Sequence, residues 1–168
     1  MTVENDFAVR LASPEDRLPI RRMLELYQHD LSDIWDQDLD SHGEYGYALD
    51  HYWAAEGCHA FVATMAGRYA GVALVNQAVR VGVEGLWMDQ FFVLRKYRRH
   101  GVGRLLARSV FESLPGRWEV GQMPQNLAAQ AFWRTVIGEY TGGRFKEQEV
   151  RSGSWQGVIQ VFESGGRR

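Results

Sequence analysis

Residues 86–107 have the sequence LWMDQFFVLRKYRRHGVGRLLA. The apolar run over residues 86–94 predicts a buried strand, and the basic residues that follow predict a turn. From Val102 the pattern is that of an amphipathic helix, which Pro115 and Gly116 stop. A strand, a basic turn and the start of a helix therefore follow one another directly.

The junction between this turn and the helix is suited to anions. Gly101 and Gly103 lack Cβ atoms, so a ligand can approach the backbone there. The first N–H groups of a helix have no partner within the helix, and the helix dipole adds positive potential beside them. Together they predict a pyrophosphate site. Further positive charge comes from Arg95, Lys96, Arg98, Arg99, His100 and Arg104. The alternative is a solvated basic loop entering a surface helix. The glycine spacing does not fit a dinucleotide fingerprint, and no Gly-Lys-Ser/Thr follows as in a P-loop.

The rest of the chain predicts strands and helices in alternation. Strands are predicted over residues 7–11, 59–65, 69–76, 118–122, 139–145 and 155–162. A helix is predicted to start near Ser13 and Pro14, and another over residues 126–137, ended by Gly138. The expected order is β-α-(α)-β-β-β-α-β-α-β-β. This order predicts an α/β (α+β) fold with a single mixed central sheet flanked by helices, in one domain over residues 1–168.

Composition and charge argue against several classes of function. The chain has 168 residues and a formal net charge of -2, so no bulk basic field predicts nucleic-acid binding. No apolar run approaches the length of a membrane span, and the N-terminus lacks a signal-peptide pattern. Cys58 is the only cysteine, which excludes an internal disulfide, and no zinc-ligand spacing is present. We therefore expect a cytoplasmic protein that needs no metal and binds neither nucleic acid nor membranes.

The strand–turn–helix segment resembles the signature motif of the GNAT N-acetyltransferase superfamily. That motif is a strand ending in Val, then Arg/Gln-x-x-Gly-x-Gly/Ala, and Val93 and the Arg98–Gly103 turn match it. The resemblance implies the GNAT acyl-CoA N-acyltransferase fold with acetyl-CoA as cosubstrate. It also implies pantetheine contacts at Phe91, Phe92 and Val93, and pyrophosphate contacts at Arg98, Arg99, His100, Gly101, Val102, Gly103 and Arg104.

The family's second signature is a strand, then Asn, then a helix with an aromatic pair. Asn126 and the pair Phe132-Trp133 match it, which implies cofactor contacts at Asn126 and Trp133. Asn126 is equally suited to capping the helix, and Phe132 to core packing. Trp133 replaces the family's usual Tyr and cannot protonate the departing thiolate. Either solvent does so, or Tyr140 is the acid; the alternative for Tyr140 is a packed strand residue.

The acceptor side of the predicted site is acidic. An amine must lose a proton before it attacks a thioester. Asp89 interrupts an apolar strand, and many GNAT members are similar in having an acid at this place, so it is the first candidate base. Glu84 is the second. The alternative for Asp89 is a strand residue that is solvated or paired with an arginine.

Residues 30–56 contain eight Asp and Glu residues and no Lys or Arg, interleaved with five Tyr and Trp residues. Carboxylates attract an ammonium, and aromatic faces add cation–π attraction. In GNAT proteins this region usually covers the acceptor. The alternative is a solvated acidic loop whose aromatic residues anchor it to the core.

These observations predict an acetyl-CoA-dependent N-acetyltransferase. The acceptor is expected to be a primary amine, on a small cationic metabolite, that attacks the thioester directly. Cys58 is expected to be a buried thiol and no nucleophile. Two alternatives stay open: a non-catalytic acyl-CoA-binding module, and a protein lysine or N-terminal acetylase. Homodimer formation stays open as well.

Overall fold

The computed structural model describes residues 6–165, which form seven strands and four α-helices. In chain order they are β1 (Phe7–Leu11), α1 (Arg17–Asp30), α2 (His51–Ala54), β2 (His59–Met65), β3 (Arg68–Asn76), β4 (Leu86–Val93), α3 (Val102–Ser113), β5 (Gly116–Gln122), α4 (Leu127–Thr141), β6 (Phe145–Val150) and β7 (Gly157–Ser164). Short 3-10 turns, Pro14–Asp16 and Arg95–Tyr97, precede α1 and α3.

The strands form one sheet in the order β1-β2-β3-β4-β5-β7-β6. β4 and β5 are parallel, with Leu86 opposite Trp118 and Trp87 opposite Glu119. β1 pairs with β2, and β7 with β5 and β6, in antiparallel fashion. The prediction of a mixed central sheet flanked by helices is confirmed. The β2–β3 hairpin also forms as predicted, with Ala66 and Gly67 both at positive φ, as a tight hairpin turn requires.

The chain forms two compact units, and the prediction of one domain over residues 1–168 stays a prediction. The first unit comprises the described residues up to Leu74 together with Gln90–Leu106. Its core joins the apolar face of α1 to β2, β3 and Phe92 of β4. Ile20 and Leu24 of α1 are fully buried there, at the helical spacing that the sequence shows.

A buried carboxylate fixes the start of α1. Asp16 is only 1% exposed and accepts hydrogen bonds from both terminal nitrogens of Arg10, at 2.6 and 2.9 Å. The Ser13 N–H donates to it at 2.7 Å, and the Tyr69 hydroxyl also donates. Arg10 lowers the pKa of the Asp16 carboxyl; burial opposes this shift, and Tyr69 and Ser13 add to it.

The second unit comprises Val75–Asp89 together with the chain from Ala107 onward. Phe111 of α3 lies at its centre, with ring centroids 5.0 Å from Trp118 and 4.8 Å from Phe162. Gly121 faces the opposite side of the sheet from Trp118, because side chains alternate along a strand. A Cβ added to Gly121 would meet the Trp87 ring at 2.4 Å, so Trp87 lies on that opposite side. Trp155 packs edge-on against Trp87 at 5.5 Å.

The end of α4 corrects the sequence analysis. The predicted helix end at Gly138 and the predicted strand over residues 139–145 are wrong, because α4 continues to Thr141 and β6 starts at Phe145. Gly142 and Gly143 adopt left-handed φ values of 63° and 81°, and the Gly143 N–H donates to the Gly138 carbonyl at 2.9 Å. The helix ends at this pair of glycines because they adopt φ > 0 without steric cost.

Candidate active site

Residues 95–104, called the basic turn from here on, join β4 to α3. Arg99 has a φ of 62° and Gly101 a φ of 80°, so the backbone reverses sharply before α3 begins at Val102. The Leu105 N–H donates to the Gly101 carbonyl at 3.0 Å, which is the first turn of the helix. The N–H groups of residues 102–104 therefore point out of the helix N-terminus, where an anion can accept from them.

The backbone of the basic turn is open at Gly101. A Cβ added to Gly101 would meet no atom within 4 Å, so a ligand can lie against the backbone. Arg99, His100 and Arg104 are exposed around it. His100 Nδ1 lies 2.7 Å from the Arg98 carbonyl, which can only accept, so Nδ1 carries the proton. The residues present can thus hold two phosphate groups by backbone N–H groups and by cations.

The Arg98 side chain makes its contacts with residues of the first unit. Its Nε donates to the Val93 carbonyl at 2.8 Å, and its guanidinium lies over the Phe92 ring, 5.2 Å from the centroid. A terminal nitrogen donates to Asp30, the last residue of α1. Phe92 in turn packs against Tyr27, with ring centroids 5.5 Å apart. Arg98 therefore ties the basic turn to the end of β4 and to α1.

The predicted site residues near β4 divide between the two units. Phe91, Phe92 and Val93 lie in the first unit with the basic turn, and Phe92 and Val93 are buried. Asp89 lies in the second unit, half-buried. Burial along β4 does not alternate residue by residue, so strand periodicity does not fix the direction of Asp89. Glu84 lies before the strand and is exposed.

The other predicted residues of the second unit lie along α4. Asn126 caps the helix, since its side chain accepts from the Ala129 N–H at 3.1 Å. Trp133 is 5% exposed, with its ring centroid 6.2 Å from that of Phe111. Tyr140 lies within α4, and its ring contacts Phe111 at 5.3 Å. The prediction that it lies beyond the helix is wrong. Fourteen residues separate it from Asn126, or about 20 Å along the helix axis.

Glu119 is a buried charge that the sequence analysis missed. It is 0% exposed and accepts from the N–H groups of Arg80 at 2.6 Å and Gly82 at 2.7 Å. Val81 also donates to it, and Arg117 pairs with it at 2.8 Å. Burial alone would raise the pKa of Glu119, but these donors outweigh burial and lower it. The signal was a lone acid inside the apolar strand Trp118–Val120.

The acidic segment, residues 30–56, divides into paired and exposed carboxylates. Asp30 pairs with Arg95 at 2.9 Å and with Arg98, Glu44 pairs with Arg21, and Asp50 lies 3.8 Å from Arg17. The sequence groups Asp30 with the acceptor side, and its arginine partners place it with the basic turn instead. Asp33, Asp36 and Asp38 are exposed, and the neighbouring Trp35 is 49% exposed.

Within residues 6–165 there is neither a metal-ligand cluster nor a helix suited to span a membrane. That range holds no group of three or more His, Cys, Asp or Glu side chains that could bind a metal ion. None of its helices is long and apolar enough to span a bilayer.

The sequence matches the model of the acetyltransferase (GNAT) family over residues 20–138, which is more than half of the chain. The chain belongs to the GNAT family. As a GNAT protein it is an acyl-CoA-dependent N-acetyltransferase, its cosubstrate is acetyl-CoA, and it acts on an acceptor. No curated protein matches the sequence.

Solved structures share the GNAT fold at low sequence identity. An acetyltransferase from Thermus thermophilus is 15% identical, with 97% of this chain and 99% of that chain covered and a TM-score of 0.67. The yncA protein of Salmonella typhimurium, solved with its cofactor acetyl-CoA, is 15% identical, with 95% and 92% covered and a TM-score of 0.60. The ribosomal-protein-S18-alanine N-acetyltransferase of Escherichia coli is 14% identical, with 96% of both chains covered and a TM-score of 0.63.

Proposed function

We propose that the acceptor of this N-acetyltransferase is a primary amine on a small cationic metabolite. The observation that carries the proposal is the exposure of Asp33, Asp36 and Asp38 beside the half-exposed Trp35. Residues 30–56 contain no Lys or Arg that could neutralise them from within the segment. Exposed carboxylates attract an ammonium from solution, and an indole face adds cation–π attraction.

The proposed chemistry is direct attack of the amine on the thioester that acetyl-CoA supplies. A primary amine has a pKa near 10, so at neutral pH the enzyme has to remove a proton. Asp89 is the proposed base, in the first half of β4. A backbone N–H near Val93 is proposed to hold the acetyl carbonyl oxygen. No covalent enzyme intermediate is required.

For the cofactor we propose contacts at each residue predicted from the resemblance. The basic turn would hold the pyrophosphate through backbone N–H groups and its exposed cations, and residues 91–93 would contact the pantetheine. Asn126 and Trp133 would add contacts from α4. Trp133 cannot donate a proton to the thiolate, and Tyr140 lies about 20 Å along α4 from Asn126. Solvent and Tyr140 are the two proposed proton sources, and Tyr140→Phe separates them: kcat should fall if Tyr140 is the acid and stay unchanged if solvent is.

The base assignment is tested by Asp89→Asn, which keeps the shape of the side chain and removes its basicity. General base catalysis contributes about 10²–10⁴-fold, so kcat at neutral pH should fall by about that factor. The loss should shrink as pH rises, because more amine is then already neutral. Glu84→Gln is the matched control and should keep the wild-type kcat. If Asp89→Asn keeps the wild-type kcat, a residue other than Asp89 is the base.

A second candidate acceptor is a protein N-terminus or lysine. The similarity in fold to the ribosomal-protein-S18-alanine N-acetyltransferase supports it. Release of free CoA should be measured with a panel of small diamines and amino alcohols, and with peptides of the same charge. Turnover confined to peptides would reject the small-amine proposal.

A single domain over residues 1–168 and a cytoplasmic location are further proposals that rest on the sequence, and homodimer formation stays open. Light scattering of the purified chain gives its oligomeric state directly. A strictly monomeric enzyme with full activity would exclude a functional homodimer.

A further inference from the structure

We propose that Asp30 is a positioning residue for the cofactor, acting through Arg98 of the basic turn. The inference rests on the basic turn being the pyrophosphate site and does not depend on the nature of the acceptor. Asp30 pairs with Arg95 through one carboxylate oxygen, at 2.9 Å, and with Arg98 through the other. One side chain on α1 thus holds two residues of a turn that lies more than 60 positions later in the chain.

The contacts of Arg98 show what this pair does. Its Nε and one terminal nitrogen are committed to Val93 and Asp30, and its planar face lies on Phe92. A guanidinium held on two edges and one face is fixed in position. The backbone of Arg98 is then fixed as well, immediately before the left-handed Arg99 and the helix start at Val102. Arg98 therefore acts as a brace for the N–H groups that face the pyrophosphate.

The place of Asp30 in α1 points to a role beyond helix stability. It is the last residue of the helix, where the negative end of the helix dipole disfavours a carboxylate. The Asp30 side chain is 20% exposed, so part of its hydration is lost too. Burial alone would raise the pKa of Asp30, but Arg98 and then Arg95 outweigh it and lower the pKa. The charge is thus kept at an unfavourable position by its partners in the basic turn.

The pairing also gives the cations of the basic turn different roles. Arg98 is half-buried and shares the Asp30 carboxylate with Arg95, whose side chain is 81% exposed. Arg99, His100 and Arg104 are exposed at the helix start. The phosphates would then be met by those three side chains and by the backbone. A preorganised backbone binds an anion without the cost of ordering it.

The test is the affinity of the purified protein for CoA alone, measured by calorimetry without any acceptor. Asp30→Asn should weaken CoA binding about tenfold, the scale of one charge-assisted hydrogen bond. Asp50→Asn is the matched control, because it removes the same charge from a carboxylate that also faces an arginine. Its CoA affinity should equal that of the wild type. Pantetheine, which lacks the phosphates, should bind Asp30→Asn as well as it binds the wild type.

A double-mutant cycle separates action through Arg98 from a bulk charge effect. If Asp30 acts through Arg98, Asp30→Asn/Arg98→Met should bind CoA no more weakly than Arg98→Met does, because methionine cannot pair with the carboxylate. Unchanged or tighter CoA binding in Asp30→Asn would overturn the proposal, because the carboxylate would then only repel the phosphates. Additive losses in the double variant would overturn it too. Failure of every amine as an acceptor would reject the proposed function and leave this result standing.

Discussion

The basic turn and the acidic segment are the two strongly charged regions of the first unit, and they are built differently. The basic turn follows an eight-residue strand and ends within the first turn of a twelve-residue helix, so regular backbone fixes both of its ends. Between α1 and β2, in contrast, the acidic segment contains only the four-residue helix α2. Backbone geometry therefore defines the cofactor side, whereas exposed side chains define the proposed acceptor side.

Both regions are nevertheless attached to α1, through opposite charges. Asp30 of α1 pairs with the basic turn, and Arg17 and Arg21 of α1 pair with Asp50 and Glu44 of the acidic segment. The backbone N–H groups of Tyr45 and Gly46 also donate to Glu25 of α1. Helix α1 therefore supports both regions, and a change that displaces α1 should affect both of them.

The largest effect is therefore expected at the buried start of α1. Asp16→Ala leaves Arg10, Tyr69 and the Ser13 N–H without their acceptor and should cost about 3 kcal/mol of unfolding free energy. Denaturant unfolding measures it, with the adjacent exposed acid in Glu15→Ala as control. A loss no larger than that of Glu15→Ala would contradict the anchoring role.

The same carboxylate predicts acid sensitivity. The pKa of Asp16 is lower in the folded protein than in the unfolded chain. Its contribution should thus be complete above about pH 4, the unfolded pKa, and be lost as pH falls further. Asp16→Ala should accordingly flatten the decline of stability with pH in that acidic range.

The next effect separates the two regions. Gly103→Val places a branched side chain at the second residue of α3, beside the N–H groups that face the pyrophosphate. Loss of about two charge-assisted hydrogen bonds should weaken acetyl-CoA binding about 100-fold. The wild type should gain about 2.7 kcal/mol of stability from acetyl-CoA at a hundredfold its Kd, and the variant much less. Gly138→Ala is the folded control, because a Cβ added to this helix glycine would lie 3.7 Å from the Phe145 ring, an ordinary contact. Unchanged affinity would place the phosphates elsewhere.

A smaller effect is expected on the acceptor side. Replacing Asp33, Asp36 and Asp38 together by Asn should raise KM for a cationic amine about fivefold at low salt, because steering by exposed charge is lost. The difference should fade at physiological salt, where charges are screened beyond about 8 Å. Affinity for acetyl-CoA should not change. A KM that ignores both the substitution and the salt would remove the main support for a cationic acceptor.

The smallest effect concerns the paired acids of the segment. Arg21 and Glu44 each keep about 40% of their side chains exposed. Exposed ion pairs contribute little, so Glu44→Gln should change the unfolding free energy by less than about 0.5 kcal/mol. A loss comparable to that of Asp16→Ala would show that the segment is held more firmly than its exposure indicates.

The elements with short-range signals were predictable from the sequence. The order of strands and helices, the β2–β3 hairpin and the basic turn all follow from periodicity, glycine positions and caps, which act over a few residues. The end of α4 was misplaced because an isolated glycine is tolerated inside a helix. The better signal was the pair Gly142-Gly143, which adopts φ > 0 twice in succession.

Long-range pairs were not predictable in this way. Asp30 and Arg98 are 68 positions apart, and Glu119 and Arg80 are 39 apart. Nothing in the local sequence separates Asp30 from the acids that follow it, so the sequence groups it with the acceptor side. The roles of Asp89 and of the cofactor contacts on α4 stay predictions, because they depend on bound molecules.

Glu119 also has a consequence for how the second unit exchanges protons with water. The N–H groups of Arg80, Val81 and Gly82 belong to a segment without helix or strand, between β3 and β4. All three donate to one carboxylate that water does not reach. In deuterated solvent these loop amides should be protected like those of a central strand, because opening the loop removes three hydrogen bonds from a buried carboxylate. We therefore expect this irregular connection to open as slowly as the sheet beside it.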